Sequence, residues 1–184
     1  MGKNKRETPP KGFDWNCQTA KREKKTGRAR EGIIRIKEGW ERIEETKETD
    51  GLVDRKVKIG KEKWNIYTAY SNKELGRLAT KPGEKLGQAK KGVVIIGGDI
   101  NARIGREGML YNGNREEKQG RKNSKDKIKN GEGVKMLQMV TEQGWHILNG
   151  EYTYVEKRGE SVIDYVVTNT VGIDKVLNFR VMIG

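Results

Sequence analysis

The sequence predicts an α/β protein with a mixed sheet, on three observations. Two alternating runs around a glycine-containing break, "LVDRKVKIGKEKWNIYTAY", read as a β-hairpin over residues 52–70. Four consecutive β-branched residues in "VVIIGGD" suit a strand buried on both faces. "EGVKMLQMVTEQGW" places Val134, Leu137, Gln138 and Val140 at helical spacing, and Gly144 stops the helix. Strands outnumber helices, with helices between some of them.

The remaining elements follow in order. Residues 1–30 contain Pro9, Pro10 and the run "KREKKTGRAR", and read as a basic, flexible arm. "GIIRI", Gly32 to Ile36, is a short strand. In the hairpin, Val53, Arg55, Val57 and Ile59 alternate with Asp54, Lys56 and Lys58, and Trp64, Ile66, Thr68 and Tyr70 share a face of the second arm. Lys73 to Gly92 is a weak helix interrupted by Pro82 and Gly83. Residues 106–130, rich in Lys, Asn, Gly and Glu, are expected to form a flexible or binding loop. "HILNG" is a short strand. "YTYVEKRGESVIDYVV" is a second hairpin that turns at "KRGE", its second arm ending in Ile163 to Val167, and "VLNFRVMI" is a further strand. No internal repeat is visible.

Composition narrows the function classes. The chain has 184 residues, enough for one domain, with 33% hydrophobic and 35% charged residues. Lys and Arg number 39 against 26 Asp and Glu, a net charge of +13. That excess suits DNA or RNA, while a solvated basic surface explains the same count. A single cysteine, Cys17, excludes an internal disulfide framework, and no Cys/His cluster has zinc spacing. The apolar runs are too short for a membrane span or a secretory leader, so an intracellular protein of the nucleus or cytoplasm is expected. No protein partner is inferable.

The candidate site residues lie at strand ends. Asp99 and Asn101 follow the buried strand, and Gly97 and Gly98 would let a phosphate or a backbone come close. Asp99 suits orienting a water or holding a metal, and Asn101 suits donating to a phosphoryl oxygen. Equally, Asp99 suits capping an Asx-type turn in its own loop. Asp164 interrupts the apolar "SVIDYVV", where a carboxylate is costly to bury without a partner. It is either the wet side of the strand or a carboxylate that orients a histidine. Tyr70, at the end of its strand, either meets a phosphate or packs in the core. His146, the only histidine, reads as structural or exposed.

The order of "WNIYTAYSN", "VVIIGGDINARIG", "GWHILNG" and "YTYVEKRGESVIDYVV" resembles the endonuclease/exonuclease/phosphatase superfamily. It is most similar to the apurinic-type endonuclease domain of insect non-LTR retrotransposons, whose relatives are sometimes labelled craniofacial development protein-like. The patterns "GGDxNARxG" and "GxSxIDYV" carry the resemblance, which runs from about Phe13 onward. It implies a four-layer α/β sandwich of two mixed sheets flanked by helices, of which residues 31–184 form part. It implies a Mg²⁺-dependent phosphodiesterase that nicks DNA for target-primed reverse transcription. Tyr70 matches the tyrosine on the scissile phosphate and Asn72 the polar residue after it. Asp99 matches the aspartate that positions the attacking water, and Asn101 the asparagine that supports the phosphoryl transition state. Asp164 matches the aspartate that orients the catalytic histidine, and Ser161 a position on the DNA side. The family's opening Asn-bearing strand, its metal-binding Glu and its closing Ser-Asp-His segment find no match here, so metal ligands stay unassigned. The resulting expectation is an endonuclease-like domain with impaired or no activity by itself, or an inactive basic nucleic-acid-binding one.

Overall fold

The computed structural model describes residues 11–18, 32–44, 48–49, 52–70, 92–107, 124–157, 159–177 and 179–181. The helix expected over 73–92 falls outside them except for Gly92, as does Asn72.

The described strands are β1 (Phe13–Gln18), β2 (Gly32–Lys37), β3 (Glu41–Glu44), β4 (Glu48–Thr49), β5 (Leu52–Ile59), β6 (Glu62–Ala69), β7 (Val93–Asp99), β8 (His146–Ile147), β9 (Tyr154–Glu156), β10 (Gly159–Ser161) and β11 (Asp164–Thr168). Helix α1 spans Gly131–Gln143 and the short α2 Thr170–Ile173. Seven strands form one mixed sheet in the order β3-β5-β6-β7-β11-β8, with β4 also on β5. Its one parallel pair is β6–β7. The α/β class therefore stands. The second sheet is smaller than expected and not mixed among the described residues: β1 and β2 pair antiparallel, and β2 lies against β5 and β6.

The first hairpin forms as its alternation predicts, with Ile59 opposite Glu62 across a two-residue turn opened by left-handed Gly60. Trp64, Ile66, Thr68 and Tyr70 are only half-buried, while the opposite face carries Tyr67 and Ala69 into the main core. That core also takes Val94, Ile96, Ile147 and Val167 from the sheet and Met136 and Val140 from α1. Helix α1 starts where the Asn130 side chain accepts from the Gly133 amide at 2.7 Å and stops at left-handed Gly144. The buried stripe is Gly133, Met136 and Val140, so Val134 and Gln138 face solvent instead. Gly133 sits against the Arg103 carbonyl, where an added Cβ would lie 1.9 Å from the oxygen. Helix α1 thus butts directly onto the loop that follows β7.

Four expectations are corrected. Phe13–Gln18 is not part of a loose arm: it forms a six-residue strand on β2, and Phe13, Trp15 and Cys17 alternate with polar residues as a strand requires. The segment 124–130 is not a flexible loop end: Ser124 and Asp126 are buried, and Lys129 bridges to Ile104. The second hairpin does not run on to Val167. It ends at Ser161, and the chain crosses at Val162–Ile163 into the large sheet, because both the Ile163 and Asp164 amides donate to Thr153 Oγ1 at 3.1 and 3.0 Å. "VLNFRVMI" forms no strand among its described residues. Both sides of β11 are already taken by β7 and β8, and Leu177 is exposed.

Candidate active site

The parallel β6–β7 pair and the antiparallel β11 bring three chain points to one end of the sheet. β6 ends at Ala69, so Tyr70 lies at its carboxyl end. β7 ends at Asp99, and β11 begins at Asp164. The register places Asp164 directly opposite Asp99 on the last rung of the β7–β11 ladder. Two half-buried carboxylates thus face each other where the sheet opens to solvent. The crevice at the carboxyl ends of strands, adjacent to a crossover, is where α/β sheets build sites.

Gly98 makes this convergence possible. Its φ is +145°, and an added Cβ would lie 2.0 Å from the Ala69 carbonyl oxygen. No side chain fits there, so the end of β6 comes to rest against the end of β7 and brings Tyr70 alongside.

The turn reading of Asp99 holds. Its Oδ1 accepts from the Asn101 backbone N–H at 3.0 Å, an Asx turn. That turn holds Asn101 at φ +53°, a left-handed conformation uncommon outside glycine. The Asn130 side chain then donates to the Asn101 carbonyl at 3.2 Å. Asn101 is therefore fixed from both sides.

Burial raises the Asp99 pKa above its ordinary value, and the Asp164 charge adds to the rise against the lowering bonds from Asn101. A raised folded pKa means that the group's contribution to stability is fully present below about pH 3.8 and is lost as pH rises through the folded value. Asp99→Asn keeps an acceptor for the Asn101 amide and removes the like-charge pair. At neutral pH it should stabilise the chain by about 0.5 kcal/mol. Thermal melts at pH 4 and pH 7 check this; a destabilised variant at pH 7 counts against the charge argument.

Asp164 is held through its backbone. Buried Asn149 donates to the Asp164 carbonyl at 2.6 Å and accepts from the Val166 amide at 2.9 Å, while Thr153 receives the Asp164 amide. Its carboxylate has no histidine beside it among the described residues. His146 stands opposite Thr168, four residues along β11, about 13 Å away. Burial lowers the His146 pKa, with Asp174 opposing, as suits a structural imidazole. Ser161 closes β10 and is buried, with 9% of its surface exposed.

The residues that frame this site are not among the sequence's candidate site residues. Arg103 binds Asp126 through two 2.7 Å bonds, and Asp126 is 1% exposed. Burial pushes the Asp126 carboxyl up, but the Arg103 bond and the Ile128 and Val162 amides outweigh it, and its pKa falls below the ordinary value. Asn130 before "GEG" carried a readable signal, an N-cap residue ahead of a helical run.

No family model and no curated protein matches this chain. Solved structures do. The endonuclease domain of TRAS1, a telomere-specific non-LTR retrotransposon, matches with a TM-score of 0.59 and 18% identity, over 87% of this chain and 69% of that one. The chain shares its fold with that endonuclease domain. An endonuclease/exonuclease/phosphatase family protein from Leptotrichia buccalis matches with a TM-score of 0.46 and 13% identity, over 86% of this chain and 61% of that one. Truncated TDP2 from Caenorhabditis elegans matches at 0.41 and 11%, over 84% and 61%. Among the described residues no group of three or more His, Cys, Asp and Glu converges as a metal cage, and no helix is long and apolar enough to cross a membrane.

Proposed function

We propose that this chain carries the phosphodiester-hydrolysing site of a retrotransposon-type endonuclease, acting on DNA. The observation that carries the reading is the facing of Asp99 and Asp164 at the sheet's open end, with Asn101 locked beside them. The fold shared with a retrotransposon endonuclease domain and the net charge of +13 support it.

In this reading Asp99 takes the proton of the attacking water. Its raised pKa suits a base that must hold a proton near neutral pH better than an ordinary carboxylate does. The Asn101 side chain donates to the phosphoryl oxygens as negative charge grows on them, and its locked backbone spares it reorganisation. Tyr70 contacts the scissile phosphate from the end of β6, with Asn72 next to it in sequence, and Ser161 borders the DNA side. A two-carboxylate site without histidine or cysteine fits Mg²⁺, which is commonly bound by one or two carboxylates together with water and substrate phosphate. Asp164 would hold it, together with water and substrate phosphate, which leaves Asp99 as the base, and it would neutralise charge on the phosphoryl group.

The test is nicking of supercoiled plasmid with Mg²⁺ and with chelator, for the chain and for Asp164→Asn. Nicking that needs Mg²⁺ and falls in the variant supports the reading; nicking indifferent to both refutes it.

A second reading is a basic nucleic-acid-binding domain without chemistry in the nucleus or cytoplasm. It is favoured by the position of His146, which leaves Asp164 no imidazole to orient within this chain. A missing general acid–base group costs about 10²- to 10⁴-fold in rate. In both readings DNA affinity depends on salt: with about six phosphate contacts it should drop roughly 10³-fold between 50 and 200 mM salt. Fluorescence anisotropy with labelled duplex measures the slope, and a flat slope would sink nucleic-acid binding in either form.

A further inference from the structure

We propose that Asp126 is a positioning residue that holds Asp99 and Asp164 face to face by gripping both chains beyond the last rung of their ladder. This rests on the hydrolytic reading for its catalytic consequence, though not for its geometry.

The β7–β11 ladder ends at the Asp99–Asp164 rung. Past that rung one backbone bond, from the Ile100 amide to the Ile163 carbonyl, still joins the two chains, which then diverge into the loop that holds Arg103 and the link that holds Val162. A ladder end held beyond its last rung by a single backbone bond frays more readily than its interior. Something must therefore stop the carboxylates from drifting apart under their mutual repulsion.

Asp126 reaches both chains. Its Oδ2 accepts from the Val162 amide at 3.2 Å and from Arg103 Nε at 2.7 Å, and its Oδ1 accepts from Arg103 Nη2 at 2.7 Å. Arg103 belongs to the loop after Asp99, and Val162 lies two residues before Asp164. One buried carboxylate thus ties the β7 side to the β11 side. It is held in turn by the Ile128 amide, donating to Oδ1 at 2.9 Å, and its own amide donates to Ser124 Oγ at 3.2 Å. Arg103 Nη2 also reaches the Glu160 carbonyl at 3.5 Å. Two neighbouring bonds lie along the same seam: the Ile100 amide donates to the Ile163 carbonyl at 2.9 Å, and the Tyr165 hydroxyl to the Val162 carbonyl at 2.9 Å. Neither of these involves a charge. The Arg103–Asp126 fork is the charge-assisted, two-bond element among them, and such pairs fix orientation as well as distance.

The decisive variant is Arg103→Lys, which keeps the charge pair and loses the fork; Arg103 is partly exposed, so folding tolerates the change better than Asp126→Ala. Two measurements are made on the full chain. In the plasmid-nicking assay with Mg²⁺, kcat should fall about tenfold with KM within twofold of the parent, because DNA binding is untouched and geometry is lost. By amide hydrogen exchange, Ile100 and Asn101 should exchange at least tenfold faster, while the β5–β6 hairpin amides keep their rates.

A loss of stability alone would accelerate exchange everywhere and leave kcat of the folded fraction unchanged; that pattern overturns the proposal. So does an unchanged kcat, or unchanged exchange at Ile100 and Asn101. If the parent chain does not nick at all, the hydrolytic reading falls. The exchange pattern then decides the bracing role by itself: selective loosening at Ile100 and Asn101 upholds it, and uniform or absent change rejects it.

Discussion

In an Asp99→Ala chain, Mg²⁺-dependent nicking of supercoiled plasmid is expected to fall by about 10²- to 10⁴-fold. Asp99 combines two roles that alanine cannot fill. Its carboxylate faces Asp164 at the site, and its Oδ1 holds the Asn101 amide at 3.0 Å. Losing the first removes the proposed base. Losing the second releases Asn101 from its left-handed turn, so the proposed phosphoryl donor is misplaced as well. The fold should survive, because Asp99 is half-buried and carries an unfavourable like charge rather than a core contact. The measurement is initial nicking rate against enzyme concentration, with circular dichroism to confirm folding. A variant that nicks as fast as its parent would mean that the observed activity comes from a contaminant or from other residues.

The second large effect is structural. Gly98→Ala should destabilise the chain by about 3 kcal/mol or more, and nicking should disappear with it. The added Cβ would lie 2.0 Å from the Ala69 carbonyl oxygen and 3.0 Å from its carbon, and both are backbone atoms of a central strand that cannot swing aside. At φ +145° the position is also one that residues with a side chain rarely adopt. Relief requires β6 and β7 to part at their carboxyl ends, where β6 leads into Tyr70 and β7 ends at Asp99. Gly97→Ala is the control, since its Cβ would find ordinary contacts at 3.7 Å and beyond. Urea melts of the two variants should differ by the full effect at Gly98. Equal, small losses would show that the β6–β7 approach is looser than this geometry requires.

The difference between these two glycines was not visible in the sequence. "GGD" announced freedom for close approach, and the approach is real, but the sequence did not say which glycine needs it or that the neighbour is the chain's own Ala69. The same holds for Asp99. Its carboxylate makes the turn, accepting from the Asn101 amide, and the strand register sets it opposite Asp164. For Asp164, the apolar strand around it marked a carboxylate that needed explaining; the explanation, a rung shared with Asp99, depends on the register of two strands 65 positions apart in sequence.

What the chain's own order determined is local. Alternation specified the β5–β6 hairpin, β-branched residues specified β7, and helical spacing with Asn130 and Gly144 bounded α1. These signals work because side-chain period and cap chemistry are set by a residue's immediate neighbours. The alternation in Phe13–Gln18 was equally local and was hidden only by the basic run beside it. Tertiary structure alone decided that β10 and β11 belong to different sheets, that Ser124 and Asp126 are buried in the segment 124–130, and that Asp126 reaches Arg103 and Val162 at once. Each of those depends on which backbone amides and charges lie unsatisfied after the sheet has closed, and a buried donor takes whatever acceptor the assembled fold brings within 3 Å, however distant in the chain.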